Sequence, residues 1–182
     1  MEPKRKLYIL LTRFPGRTAK AIHLFTGCYY THSSIGLEED LNTFYSVVGK
    51  GFIVEKITRY VRPDRTPFPC QLYEMEVPES IYLTVKELLE ESVENKSRYQ
   101  YSKLGVVLCL LRIPFPRRNH YFCSQYVAEV LRRSQAAPIR KPLTLYQPGD
   151  FGRLPGMRLH FQGDLKGFLG HFSLLPTTAC LS

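Results

Sequence analysis

Apolar residues run unbroken from Leu7 to Leu11, with basic residues on both sides. A short continuous apolar run of this kind reads as a first β-strand. Pro15-Gly16 then turns the chain. Thr18 to Thr26 has helical spacing, with Ile22 and Phe25 on the apolar side and Gly27 as the residue that ends the helix. Alternation takes over from Thr31 to Leu37: Thr31, Ser33, Ile35 and Leu37 share one face of a strand, and His32, Ser34 and Gly36 share the other. Acidic Glu38-Glu39-Asp40 makes the next turn. Strands follow over Thr43 to Val48 and Phe52 to Ile57, joined by Gly49-Lys50-Gly51, and links this short favour an antiparallel meander.

A connection rich in Pro and Arg leads to a less regular strand over Gln71 to Val77. The period changes at Pro78-Glu79, where Pro suits the first turn of a helix. Ile81, Val85, Leu88 and Ser92 then mark one helical face as far as Asn95. Tyr101 to Leu111 reads as a buried helix. After a basic loop, Tyr126, Val127, Val130 and Leu131 form the apolar stripe of a further helix that opens at Cys123. Beyond Pro138, repeated Pro and Gly residues (Pro142, Pro148, Gly149, Gly152, Pro155, Gly156) predict short strands and loops that wrap the core. The expected organisation is one domain over 1–166 and a mobile tail over 167–182.

Composition narrows the class. With 44% apolar and 23% charged residues, the 182-residue chain has the make-up of a globular domain large enough to need no staples. The basic start mimics a signal peptide, but Arg13 closes the apolar stretch too early and no small-residue cleavage site follows. The run Leu104 to Leu111 is too short to cross a bilayer. A cytoplasmic protein with no transmembrane segment is the expectation. Five scattered cysteines, at 28, 70, 109, 123 and 180, contain no Cys-x-x-Cys pair, which argues against a zinc site or a disulfide framework and for reduced thiols.

The formal charge is +9. Basic residues gather in Arg59 to Arg65 and in Arg112 to His120, interleaved with aromatics. Such patches can meet phosphates or an anionic membrane surface. No base-reading motif accompanies them, so the expectation is weak anionic-surface contact and no specific nucleic-acid partner.

Cys123 and His32 are the candidate chemistry. A thiol in the first turn of a helix feels free N–H groups and the positive end of the helix dipole, both of which favour thiolate, the nucleophilic form. His32 lies on a strand face that is otherwise small and polar, open to close approach by another element. Cys28, just before the His strand, is the competitor for Cys123.

The order of these pieces resembles the circularly permuted branch of the papain-like NlpC-type cysteine hydrolases, which include the relatives of lecithin:retinol acyltransferase. The matching segments are Thr31-His32-Ser33-Ser34-Ile35-Gly36-Leu37, the strand Phe44-Tyr45-Ser46-Val47-Val48, and Tyr121-Phe122-Cys123-Ser124-Gln125-Tyr126-Val127 with the helix that follows. The resemblance implies an α+β fold with an antiparallel sheet packed against helices. It implies a hydrolase working through a thioester on an amide, peptide or ester bond, with Cys123 as nucleophile, His32 as base and no cofactor or metal. It places a third polar residue on the strand after the His strand. Ser46 is the best positional match, with Asn42 and Tyr45 as rivals. Tyr30 and His120 flank the pair in sequence, and Gln125 points off the apolar stripe. The substrate is expected to be a small molecule, a peptide or a lipid-like ester. The other readings are an acyltransferase or thioesterase on lipids, and a non-catalytic module that binds nucleic acid or an anionic surface.

Overall fold

A computed structural model describes residues 2–14, 29–64 and 66–173. The turn at Pro15-Gly16, the helix from Thr18 to Thr26 and the competing Cys28 lie outside the described residues. Six antiparallel strands form the main sheet: β1 (Lys4–Thr12), β2 (His32–Leu37), β3 (Thr43–Val48), β4 (Gly51–Lys56), β5 (Pro69–Pro78) and β8 (Met157–Asp164). Their spatial order is β4-β3-β2-β1-β5-β8. The short β6 (Gln100–Tyr101) and β7 (His120–Tyr121) pair in parallel as a separate ribbon. Four helices complete the described chain: α1 (Glu79–Glu94), α2 (Lys103–Leu110), α3 (Cys123–Arg133) and α4 (Leu165–Ser173).

The unbroken apolar run of β1 has a direct cause, since both faces of this central strand are covered. Leu7, Ile9 and Leu11 join the larger core with Tyr82, Val85 and Leu89 of α1 and Tyr126, Val127, Val130 and Leu131 of α3. Tyr8 and Leu10 point the other way, into a smaller cluster with Phe44, Leu72, Leu165 and Phe168. A strand buried on both sides loses the alternation of a half-exposed one. The result is a mixed α+β architecture with helices on both sides of an antiparallel sheet.

Three expectations need correction. Leu165 and Phe168 are fully buried, so the tail does not begin at residue 167; it contains α4, which covers the second face of the sheet. The helix α1 buries Tyr82, Val85, Leu89 and Ser92, a stripe turned slightly from the one read in the sequence, with Ile81 and Leu88 at its margin. The helix α2 is shorter than expected and is not buried all round: Leu104 and Val107 are each 52% exposed. The segment beyond Pro138 contributes two 3₁₀ turns, Leu143–Leu145 and Pro148–Arg153, before β8 closes the sheet edge.

Gly36 is required where β2 meets β3. A Cβ at this position would lie 2.7 Å from Cε1 and 2.8 Å from Cδ1 of Phe44, its cross-strand partner. Gly36→Ala is therefore expected to destabilise the protein by about 1–3 kcal/mol through overpacking, read as a lowered urea midpoint with an unchanged slope.

Candidate active site

The stripe Tyr126, Val127, Val130 and Leu131 docks α3 on β2 and β3. This places the first residue of the helix, Cys123, against the first residues of β2. Phe122 precedes the helix in extended conformation and supplies no side-chain cap, so the first-turn N–H groups stay available. Pairing of β6 with β7 brings the start of α2 alongside the start of α3. Ser124 Oγ donates to the Tyr146 carbonyl at 2.6 Å, tying the following loop to the same place.

His32 is 6% exposed and Glu55, on β4, is 3% exposed. The imidazole Nε2 lies 2.7 Å from Glu55 Oε1, and the Cys123 thiol is close enough to the same ring for each to shift the other's pKa. With Nε2 engaged by the carboxylate, Nδ1 is the nitrogen left for sulfur. Phe14 packs on the ring, with centroids 5.4 Å apart. The three side chains form a chain from carboxylate to imidazole to thiol. Cys123 is half-buried and so remains reachable at its outer end.

Electrostatics in this chain favour charge separation. Burial disfavours a charged His32, but the Glu55 carboxylate and the hydrogen bonds the ring makes to Cys123 and Glu55 outweigh it, and the imidazole pKa is raised to about 10. Burial likewise pushes the Cys123 thiol up. The hydrogen bond and charge of His32, with the backbone N–H groups of Ser33 and Ser124, more than offset it and hold the thiol below its ordinary value. The other described cysteines behave in the opposite way: burial pushes Cys70 up to about 12 and Cys109 up to about 11. Among the described cysteines only Cys123, beside His32, is held below its ordinary value.

The thiol lines a narrow, mainly apolar slot of about 40 Å³, walled also by Val106, Cys109 and Leu110 of α2 and by Phe122, Tyr146 and Pro148. Tyr101 also lines it. Burial and the facing Cys123 raise this phenol to about 12, so the hydroxyl stays protonated and can donate. Among the described residues no group of three or more His, Cys, Asp or Glu side chains is placed to share a metal ion.

Cys123 and His32 are brought together; Ser46 is not the third member. Its hydroxyl donates to the Ser33 carbonyl at 2.8 Å and is spent on fastening β3 to β2. The rivals are also elsewhere: Asn42 Oδ1 accepts from the Thr58 amide at 2.9 Å, and Tyr45 packs against Phe52 in the larger core. Tyr30 is half-buried beside Tyr29. His120 bonds the Arg118 carbonyl through Nδ1 at 2.9 Å. Gln125 is buried but lines an open groove on another side of α3.

Glu55 is the residue that inspection of the strands missed. A signal was present, because in the third meander strand Ile53, Glu55 and Ile57 share a face by period two, and a carboxylate between two isoleucines demands a buried partner. Compared with known proteins, the chain matches no family model and no curated protein.

Proposed function

We propose that the protein is a cysteine hydrolase of the permuted papain-like NlpC-type, acting on an acyl carbonyl through a thioester at Cys123. The observation that carries this reading is the Glu55–His32–Cys123 chain, in which Nε2 to Oε1 is 2.7 Å and the thiol pKa is lowered. The order of a His strand before a Cys helix supports the permuted branch. Thiolate Sγ adds to the carbonyl carbon, forming the C–S bond while the C=O electron pair moves onto oxygen. As the oxyanion pair re-forms the C=O, the scissile C–N or C–O bond breaks and His32 gives its proton to the leaving amine or alkoxide, leaving a thioester. Water then adds to the thioester carbon, losing a proton to His32, and thiolate departs as the carboxylic acid is released. The Cys123 backbone N–H at the helix start and the Tyr101 hydroxyl supply donors for the developing oxyanion.

A lipid acyltransferase or thioesterase is the second reading, favoured by the apolar walls of the slot. A panel of activated esters and amides with acyl groups of increasing length tests both. The expected result is an acyl adduct on the intact protein, mapped to the peptide bearing Cys123 and absent from Cys123→Ala. Discharge of that adduct by water marks a hydrolase, and discharge by an added alcohol or amine marks a transferase. A folded protein that forms no adduct with any member of the panel leaves the non-catalytic module as the surviving reading.

A further inference from the structure

Outside the dyad, the strongest unexplained feature is the outer side of α2 and the loop that follows. A helix apolar on all sides is normally buried. In α2 only one side is covered, with Gly105 and Cys109 buried and Val106 and Leu110 on the slot. Leu104, Val107 and Leu111 form a separate stripe facing outward, and Ile113 and Phe115 extend it into the loop. These five side chains are each between 36% and 59% exposed. Arg112 (φ 59°) and Asn119 (φ 60°) bend the chain at either end of the loop, and Pro114 and Pro116 stiffen it, so Ile113 and Phe115 are held outward rather than folded back. A contiguous exposed apolar surface of this kind marks a binding face.

Charge identifies the occupant. From Asn95 to Ala128 the chain contains no acidic residue, while Lys103, Arg112, Arg117 and Arg118 all stand exposed around the apolar stripe. Arg117 and Arg118 also line an open groove of about 450 Å³ with Arg132, where Glu129 is the one carboxylate. A second copy of the chain would set these cations against one another across a two-fold interface. A single-stranded nucleic acid would use the cations but wants aromatic platforms, and four of the five outward apolar residues are aliphatic. Aliphatic side chains rimmed by Lys and Arg match the acyl–headgroup boundary of an anionic membrane.

We infer that α2 and the loop 111–118 form a docking surface for an anionic lipid bilayer. Because α2 is at once the wall of the slot and the base of the outward stripe, docking sets the Cys123 slot against the membrane surface. The inference goes beyond the proposed chemistry, and lipid binding needs no working thiol, so either can fail without the other.

Co-sedimentation of the full chain with vesicles of phosphatidylcholine, with and without phosphatidylglycerol, tests it. Binding to the anionic vesicles is expected to exceed binding to neutral ones by roughly tenfold or more, and to weaken as salt rises. Leu111→Glu and Phe115→Glu, which touch no residue of the dyad, are expected to weaken it by roughly tenfold each. Their melting temperature and their rate of Cys123 alkylation without vesicles should match the parent. Equal binding to neutral and anionic vesicles, or anionic binding unaffected by both substitutions, would overturn the inference. So would a dimer that Leu111→Glu dissociates in a protein that ignores vesicles, or retention on a single-stranded oligonucleotide with no vesicle binding.

Discussion

Glu55→Ala lowers the stability of the protein by about 3–5 kcal/mol, the cost of leaving one partner of a buried ion pair unmatched. His32 is 6% exposed and has the Glu55 carboxylate 2.7 Å from Nε2. The imidazolium responds by giving up its proton, so its pKa falls from the raised value of about 10. Glu55→Gln separates charge from hydrogen bonding, because the amide oxygen still accepts from Nε2–H. It should cost less stability than Glu55→Ala while also lowering the His32 pKa. Urea unfolding gives the first quantity, and the pH dependence of the His32 ring resonances in NMR gives the second. Equal stability of Glu55→Ala and the parent would show that the pair is not held in the folded state.

The same comparison separates a positioning role from a structural one. In the proposed chemistry Glu55 acts only through its contact with His32. If it orients the ring and stabilises the imidazolium, Glu55→Gln should raise the thiol pKa and slow acylation of Cys123 at neutral pH, in a protein that still folds. A purely structural carboxylate would move the urea midpoint and leave the alkylation profile of Cys123 where it was.

Much of this arrangement was legible in local pattern, and the misses share one physical origin. Periodicity located the strands of the meander, the α1 helix and the opening of α3 at Cys123, because turn residues bound the strands and each of these helices buries one apolar stripe. Cys123 and His32 were readable as candidates from their elements, a first-turn thiol and a His on a small polar face. Glu55 was not, because a carboxylate between Ile53 and Ile57 calls for a buried partner without saying which, and His32 lies on β2, with β3 between it and β4 in the sheet. Ser46 fits the strand position of a third catalytic residue, yet its hydroxyl finds the Ser33 carbonyl first, and a short side chain satisfied by the backbone has no reach left for an imidazole. Burial of α2 was overestimated for a related reason: the pattern states that an all-apolar helix should be covered, but not by what. The α4 segment looked like a tail because Gly167 and Gly170 lower helix propensity, whereas burial of Leu165 and Phe168 outweighs that penalty.

The largest kinetic effect is expected at His32. A thiol with an ordinary pKa near 9.0 is almost wholly protonated in weakly acidic solution, and alkylation requires thiolate. His32→Ala removes the hydrogen bond and the charge that lower the Cys123 pKa, while burial, which raises it, remains. Iodoacetamide labelling of Cys123 below pH 7 should therefore slow by roughly tenfold or more, and recover as pH rises past the ordinary thiol value. Stability carries a matching signature. The raised His32 pKa contributes stability that is fully present below 6.5 and lost as pH climbs through about 10. The lowered Cys123 pKa contributes stability present above 9.0 and lost as pH falls through the folded value. Above the folded thiol pKa and up to 9.0, the folded pair and the unfolded chain each hold one proton, so there the parent's contribution from this pair is flat with pH. Cys123→Ala deletes the thiol term and leaves His32 paired with Glu55 alone, so its stability should decline steadily with pH across that same window. Urea midpoints of the parent and Cys123→Ala, taken at intervals between pH 6.5 and 9.0, decide the matter: parallel curves would mean that Cys123 and His32 do not share a proton, and the proposed dyad would fall with them.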